Sequence, residues 1–436
     1  LRICSEGTPQ AQSQIEDSMA RFLFTMLVVN DLGLPTRMVP IARALADRGH
    51  DVGVFNPAPA PMQLIEEAGL RGVLMPDLPL PTPVMDIALA NRAWDVEEFF
   101  AGFYSDANFL RGMTDISLSV IRDFAPDVVV DSFSLTDCLA ARILKLPLVT
   151  INQGTFHPAS RGFKFWEAER PAHRASTVAF VNQIAAEHGA GPFARSADLM
   201  AGDLSLIVGT PETDPMESPT PPVAYVGPAV WQKSNAELPA WIDALGREKP
   251  LIWLYAGNPR YGGESVGPTP FDSIVVIRAA IEALKDEPVN VVLTAGHQAM
   301  PKEIGTLPPN FRSVPYLPGL AMAARSDLMI HHGGYSSVMT GLAAGTPAVI
   351  IPTATERESN ARRMATLGAA EVVMPTSTPD GDKTIDPEEF SAKVKQVLKS
   401  PTHRAAARKV AASIHQYGGV TEAARRIEEF AASQGK

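Results

Sequence analysis

Phe22–Val29 is a run apolar at every position but Thr25, closed by Asn30-Asp31 and Gly33, and no other stretch constrains the fold as much. A strand that is apolar on both faces has to be covered on both faces, which means a parallel sheet held between layers of helix. The residues that follow agree with this. Met38–Asp47 has helical spacing and stops at Arg48-Gly49-His50, with glycine as the terminator. Asp51–Phe55 reads as the next strand and Met62–Gly69 as the next helix. Val128–Val130 and Leu148–Ile151 repeat the strand pattern around a helix at Thr136–Leu144. The alternation restarts at Pro250. Strands are expected at Leu251–Tyr255, Val289–Thr294, Ser313–Tyr316, Asp327–Ile330 and Ala348–Ile351, with helices at Ser273–Lys285 and Ser336–Ala344. The expected fold class is α/β: two doubly wound, Rossmann-like domains facing each other across a cleft. Ligands of such sheets bind at the carboxyl ends of strands.

Residues 1–18 are polar and lack the apolar stretch of a secretory signal, and are expected to lie outside the fold. An N-terminal domain is expected over residues 19–235, its last part (Gly209–Asn235) a proline-rich, stiff linker. A C-terminal domain is expected over residues 236–417. Residues 418–436 should form a terminal helix, at Thr421–Phe430, packing back towards the first domain. The 38 prolines in 436 residues suggest many short connections. With 38 Lys+Arg against 48 Asp+Glu the net charge is −10, which argues against a nucleic-acid partner. Cys4 and Cys138 are the only cysteines, too few for a disulfide framework or a Cys-based zinc site. No apolar run approaches the roughly 20 residues of a membrane span. The chain therefore reads as cytoplasmic, without stable membrane insertion. Its oligomeric state is not legible.

One segment is far more specific: His331-His332-Gly333-Gly334-Tyr335-Ser336-Ser337, continuing to Gly345-Thr346-Pro347 and Glu356-Arg357-Glu358-Ser359-Asn360-Ala361. Physically it is a strand, a glycine turn and a helix. Glycines let a ligand approach the backbone, and the helix N-terminus offers free N–H groups and a positive dipole end. With the hydroxyls of Ser336 and Ser337 and the imidazole of His332, this is the chemistry of a pyrophosphate seat. The competing interpretation is an ordinary glycine-softened turn with serine as helix cap.

The surroundings favour the seat. Tyr316-Leu317-Pro318-Gly319 through Ala361 resembles the donor-binding signature of the family-1 (UDP-glycosyltransferase-like) GT-B glycosyltransferases of natural-product type. Arg48-Gly49-His50-Asp51-Val52, Gly227-Pro228 and Gly418–Glu429 resemble the family's first helix–strand junction, its linker and its terminal crossover helix. The resemblance implies a nucleotide diphosphate sugar as co-substrate, inverting transfer, and no cofactor or metal. It also implies roles for individual residues. Tyr316 would stack on the base and Leu317 meet its edge. His332 and Ser337 would hold the diphosphate, with Gly333, Gly334 and Ser336 beside them. Gly257 and Asn258 would contact phosphate, and Glu356 and Arg357 would face the sugar. Pro347 and Asn360 read as structural. Gly319 and Thr340 stand where the family carries Gln and Glu towards the ribose, and Arg357 replaces a sugar-contacting Gln, so UDP- and dTDP-sugars both remain open.

The same resemblance places Leu34 where the family carries its catalytic histidine, and leucine accepts no proton. Asp131 matches the family's partner carboxylate, although an aspartate capping a strand–helix loop reads equally well. Asp131 and Asp31 are thus the candidate bases, with Asp137 and His157 behind them. A carboxylate base requires an acidic acceptor such as a phenol or an activated ring carbon. Trp94, Phe100 and their aromatic neighbours up to Phe109, together with His157, are candidates for lining a site for a small apolar or aromatic acceptor; helix packing is the alternative. Asp380-Gly381-Asp382 has the form of a metal motif but lies in a turn-rich stretch, and no metal is assigned. A non-catalytic nucleotide-sugar-binding protein and a GT-B-fold epimerase are the competing functions.

Overall fold

The computed structural model describes residues 19–164, 174–217, 223–232, 237–257, 274–295, 300, 302–377 and 383–434. The expected extension over residues 1–18, Asn258 and Asp380-Gly381-Asp382 lie outside them. The first half runs β1 (Arg21–Met26), α1 (Pro35–Ala46), β2 (Asp51–Phe55), α2 (Pro59–Glu67) and β3 (Arg71–Gly72). Helices α3 (Ile87–Arg92), α4 (Val96–Phe103) and α5 (Ala107–Phe124) then precede β4 (Val128–Ser132), α6 (Leu135–Ile143), β5 (Leu148–Asn152), α7 (Val178–Glu187), β6 (Leu204–Ile207) and β7 (Val223–Tyr225). The second half runs α8 (Ala240–Asp243), β8 (Leu251–Tyr255), α9 (Ile274–Leu284), β9 (Asn290–Thr294), β10 (Phe311–Val314), α10 (Gly319–Arg325) and β11 (Leu328–His331). It ends with α11 (Tyr335–Ala344), β12 (Ala348–Ile350), α12 (Thr355–Thr366), β13 (Ala370–Val372), α13 (Pro387–Lys399), α14 (Pro401–Ile414) and α15 (Gly419–Gln434).

Two parallel sheets result, in the orders β3-β2-β1-β4-β5-β6-β7 and β10-β9-β8-β11-β12-β13. Phe22, Leu23, Phe24 and Met26 of β1 are all fully buried, as a strand covered on both faces requires. Strand order reverses between β1 and β4 in the first sheet and between β8 and β11 in the second. The carboxyl ends of those four strands carry Asp31, Asp131, Gly257 and His332 respectively. Helices α1, α2, α13 and α14 each begin with proline, the residue whose missing N–H costs nothing at that position, so part of the proline excess marks helix starts.

Within the stretch expected to be a linker, the described residues 209–217 and 223–232 include an element of the first sheet. Val223–Tyr225 pairs with β6 as a parallel edge strand, and Thr213 and Asp214 are buried. Prolines are tolerated beside a short edge strand, which is why composition alone misread it. Helix α15 packs on α1, where Glu428 meets Arg48 and His50.

The halves are joined by polar contacts, of which those of Tyr335 are buried. Tyr335 at the start of α11 is 7% exposed and its hydroxyl donates to Val208 O (2.9 Å) and Asp214 Oδ2 (2.8 Å). Ser336 Oγ donates to Gly33 O (3.1 Å), and Gln153 Nε2 donates to Glu356 Oε1 (2.7 Å).

A second polar cluster lies inside the first domain. Asp131 and Asp137 are both fully buried, and burial pushes the Asp131 carboxyl well above the usual range and that of Asp137 up to about 6. Asp137 Oδ1 has no hydrogen-bond partner. A carboxyl whose folded value is raised holds its proton more tightly in the folded protein than in the unfolded chain. Its contribution to stability is complete below the ordinary carboxylate range and is lost as pH rises through about 6. Asp137→Asn should therefore be less destabilised than the wild type on going from about pH 5 to about pH 8. Urea midpoints of both proteins at the two pH values check this; identical pH dependence would refute it.

Candidate active site

His332 follows β11 and starts the glycine turn. A Cβ on Gly334 would lie 2.5 Å from His332 Nε2, and one on Gly257 (φ +83°) 2.8 Å from its Cε1. These two glycines therefore first make room for the imidazole ring. Gly333 (φ +85°) is needed because its Cβ would meet Arg357 O at 2.7 Å. The His332 ring is buried, and burial together with the Arg357 charge holds its pKa well below the usual value, so it is neutral at pH 7. Its Nδ1 is buried with no partner. His331 faces the other way: its Nδ1 accepts from Gly333 N (3.2 Å), and burial pushes its pKa down to about 3. Gly334 caps α11 without a side chain, so no side-chain oxygen occupies the first N–H groups of the helix. Ser337 is buried in that turn, and Ser336 is turned towards Gly33.

Around this turn, Asn360 Nδ2 donates to Gly333 O (3.0 Å) and to Glu356 Oε1 (2.8 Å), tying the turn to α12. Glu356 is thereby held at the domain junction, and Arg357 Nη1 donates to Thr353. Leu317 is buried and Tyr316 half-buried, its phenol raised by burial and by the Glu67 charge on α2. Thr340 Oγ1 donates to Ser336 O (2.8 Å), and its methyl lies 3.4 Å from where a Gly319 Cβ would be, with the Trp253 ring at 3.6 Å.

The two candidate bases are separated by burial. Asp131 is 0% exposed, its Oδ2 accepting from Thr25 Oγ1 (2.8 Å) and its Oδ1 from Ser134 N (2.9 Å) and Cys138 Sγ (3.2 Å). It is locked in the core, a correction to its expected place in the cleft. A base has to reach the proton that it takes. Asp31 is half-buried in the β1–α1 loop, where its Oδ1 accepts from Gly33 N (2.8 Å) and its charge acts on Tyr255 across the cleft. Leu34 is buried at the start of α1.

The acceptor candidates also divide. Phe100 is 0% exposed, with its ring 5.3 Å from that of Phe133, so it is a core residue and not a pocket wall. His157 is buried, its Nδ1 accepts from Ala159 N (3.1 Å), and burial pushes its pKa down to about 4; it too is misplaced for an acceptor contact. Trp94 is half-buried beneath Lys164 Nζ, 4.7 Å from its ring. Phe99 and Phe103 stack at 5.9 Å and keep partial exposure.

Arg37, Gln153, Asp214 and Tyr335 were not anticipated. Arg37 carried a usable signal: it interrupts the apolar face of α1 formed by Leu34, Met38, Ile41 and Leu45. Gln153 follows the end of β5 directly, the position type that made Asp131 a candidate.

Comparison with known proteins agrees with the geometry. Residues 278–430 match the family described as "Erythromycin biosynthesis protein CIII-like, C-terminal domain". A PGL/p-HBAD biosynthesis glycosyltransferase of Mycobacterium tuberculosis is 27% identical over 315 residues, covering 67% of this chain and 68% of that one. The solved structure of the calicheamicin glycosyltransferase superimposes with a TM-score of 0.67 at 20% identity, over 94% of this chain and 98% of its own. The glycosyltransferase VinC in complex with dTDP gives 0.66 at 21% identity, over 95% and 100%. Both are similar in fold over nearly the whole chain. The two facing parallel sheets are the GT-B fold, and the chain is similar to glycosyltransferases of natural-product type over about two thirds of its length.

Proposed function

We propose that this enzyme transfers a sugar, with inversion and without a metal, from a dTDP- or UDP-sugar to a small apolar or aromatic acceptor in the cytoplasm. The observation that carries the reading is the uncapped start of α11 lying against the β1–α1 loop, Ser336 Oγ to Gly33 O at 3.1 Å. A diphosphate on that helix end has the N-domain loop, and Asp31 within it, beside its sugar. The acceptor hydroxyl attacks the anomeric carbon and gives its proton to Asp31. The charge gathering on the leaving oxygen is met by the α11 N–H groups, Ser337 and His332. Glu356 and Arg357 face the sugar, and Tyr316 the base. Because a carboxylate is a weak base, the acceptor is an acidic one, a phenol or an activated ring carbon. Trp94, Phe99 and Phe103 supply the apolar surface on the acceptor side. No helix among the described residues is long and apolar enough to cross a membrane.

The altered ribose side favours a deoxyribose donor. Gly319 offers no side chain, Thr340 turns its hydroxyl into the helix, and the Trp253 ring lies alongside. A ribose diol brought there leaves its donors unmatched, and VinC, a fold neighbour, is known with dTDP.

Two outcomes are expected. Asp31→Asn should lower kcat with a phenolic acceptor by about 100-fold or more, while Asp131→Asn leaves it within severalfold. Steady-state release of nucleoside diphosphate checks this; full activity in Asp31→Asn would remove it as the base. dTDP-sugar should be used at least about tenfold better than the matching UDP-sugar, and Thr340→Glu should narrow that ratio. Competition kinetics with paired donors decides, equal use by the wild type being the contrary result.

A further inference from the structure

Arg37 lies on α1, one turn beyond Leu34, and is 5% exposed. Its Nε donates to Gly33 O at 3.3 Å and its Nη2 reaches Gln153 Oε1 only at 3.5 Å, while Nη1 has no partner. Asp31, Glu356 and Asp214 act on it by charge, but the hydrogen bonds of their carboxylates go elsewhere: Glu356 Oε1 to Gln153 and Asn360, both Asp214 oxygens to Tyr335, Thr213 and Gly154, and Asp31 Oδ1 to Gly33. A guanidinium does not shed its proton, so a positive charge with an idle donor is buried here. Such a charge is costly to bury unless a partner meets it.

Its position indicates the partner. The guanidinium lies over the ring of Tyr335, the first residue of α11, 5.1 Å from the centroid. It shares Gly33 O as acceptor with Ser336 of the same turn. His332 Nδ1, also buried and idle, belongs to the turn that opens α11. Two polar atoms without a hydrogen-bond partner, one from each domain, thus belong to residues set around one uncapped helix start, and such a start favours an anion. The imidazole and hydroxyl groups of this seat are uncharged, so they meet a dianionic leaving group only with dipoles.

We propose that Arg37 is the N-domain's cation for the departing diphosphate, its Nη1 taking a phosphate oxygen of the bound donor. This rests on the donor assignment made above. As the bond from the anomeric carbon to the diphosphate oxygen breaks, its electron pair passes to that oxygen. The new bond forms to the acceptor, whose proton goes to Asp31, and Arg37 keeps its own proton and acts by charge. Since Arg37 is carried by the first domain and the helix by the second, leaving-group stabilisation is complete only with the domains together.

The test is calorimetric titration of the full chain and of Arg37→Gln and Arg37→Lys with dTDP, dTMP and thymidine, and with UDP in parallel. The wild type should prefer dTDP to dTMP. Arg37→Gln should lose about tenfold or more in dTDP affinity with little change for dTMP or thymidine, and Arg37→Lys should recover part of the loss. An unchanged ratio of dTDP to dTMP affinity in Arg37→Gln overturns the proposal. So does an equal loss for all three ligands, which would assign Arg37 to domain packing. Absence of any nucleotide binding by the wild type would instead overturn the donor assignment. Should Arg37→Gln melt well below the wild type, Arg37→Lys carries the comparison, with severalfold weaker dTDP binding expected from the lost guanidinium fork.

Discussion

The contact on which the rest of the site depends is the Tyr335 hydroxyl, buried between the two domains and bonded to Val208 O and Asp214 Oδ2. It fixes the first turn of α11 against the first domain. Asp214 is itself held by Gly154 N and Thr213, so the contact extends from the second domain to the end of β5. Buried polar groups of this kind are worth most when every member is satisfied, and they specify one arrangement of the domains over others. With that turn fixed, Ser336 meets Gly33, Glu356 meets Gln153, and Arg37 comes to lie over the Tyr335 ring.

The carboxylates illustrate how burial sorts residues that look alike in sequence. Asp31 and Asp131 both lie at the carboxyl end of a strand that flanks the reversal point of the first sheet. Asp131 belongs to the strand itself, pairs in register with Thr25 and Thr150, and is closed over by Ser134 and Cys138. Asp31 lies in the loop beyond β1 and keeps access to the cleft. In the same way, the aromatic run between Trp94 and Phe109 splits into core rings such as Phe100 and half-open ones such as Phe99 and Phe103.

Much of the fold was legible because it follows from local pattern. Continuous apolar runs of strand length and glycine stops after helices place β1, β2, β4, β5, β8, β9, β11 and β12 within a few residues. The helices α3 to α5 and the strands β6 and β7 were not, since short elements without a clean period carry little signal. Val223–Tyr225 was hidden among prolines. The glycine turn at α11 was legible as a feature, but not the reason for its glycines. Gly257 lies far from His332 in sequence, and only the pairing of β8 with β11 brings the two together.

What the sequence determined by itself is the α/β alternation and the glycine turn with its histidine and serines. These depend on residues within a turn or a strand of one another. What only the tertiary structure decided is which charges face the cleft. Burial depends on neighbours contributed from distant segments, and so Asp131 was sealed, Asp31 left open, and Arg37 buried with an idle donor beside the start of a helix in the other domain.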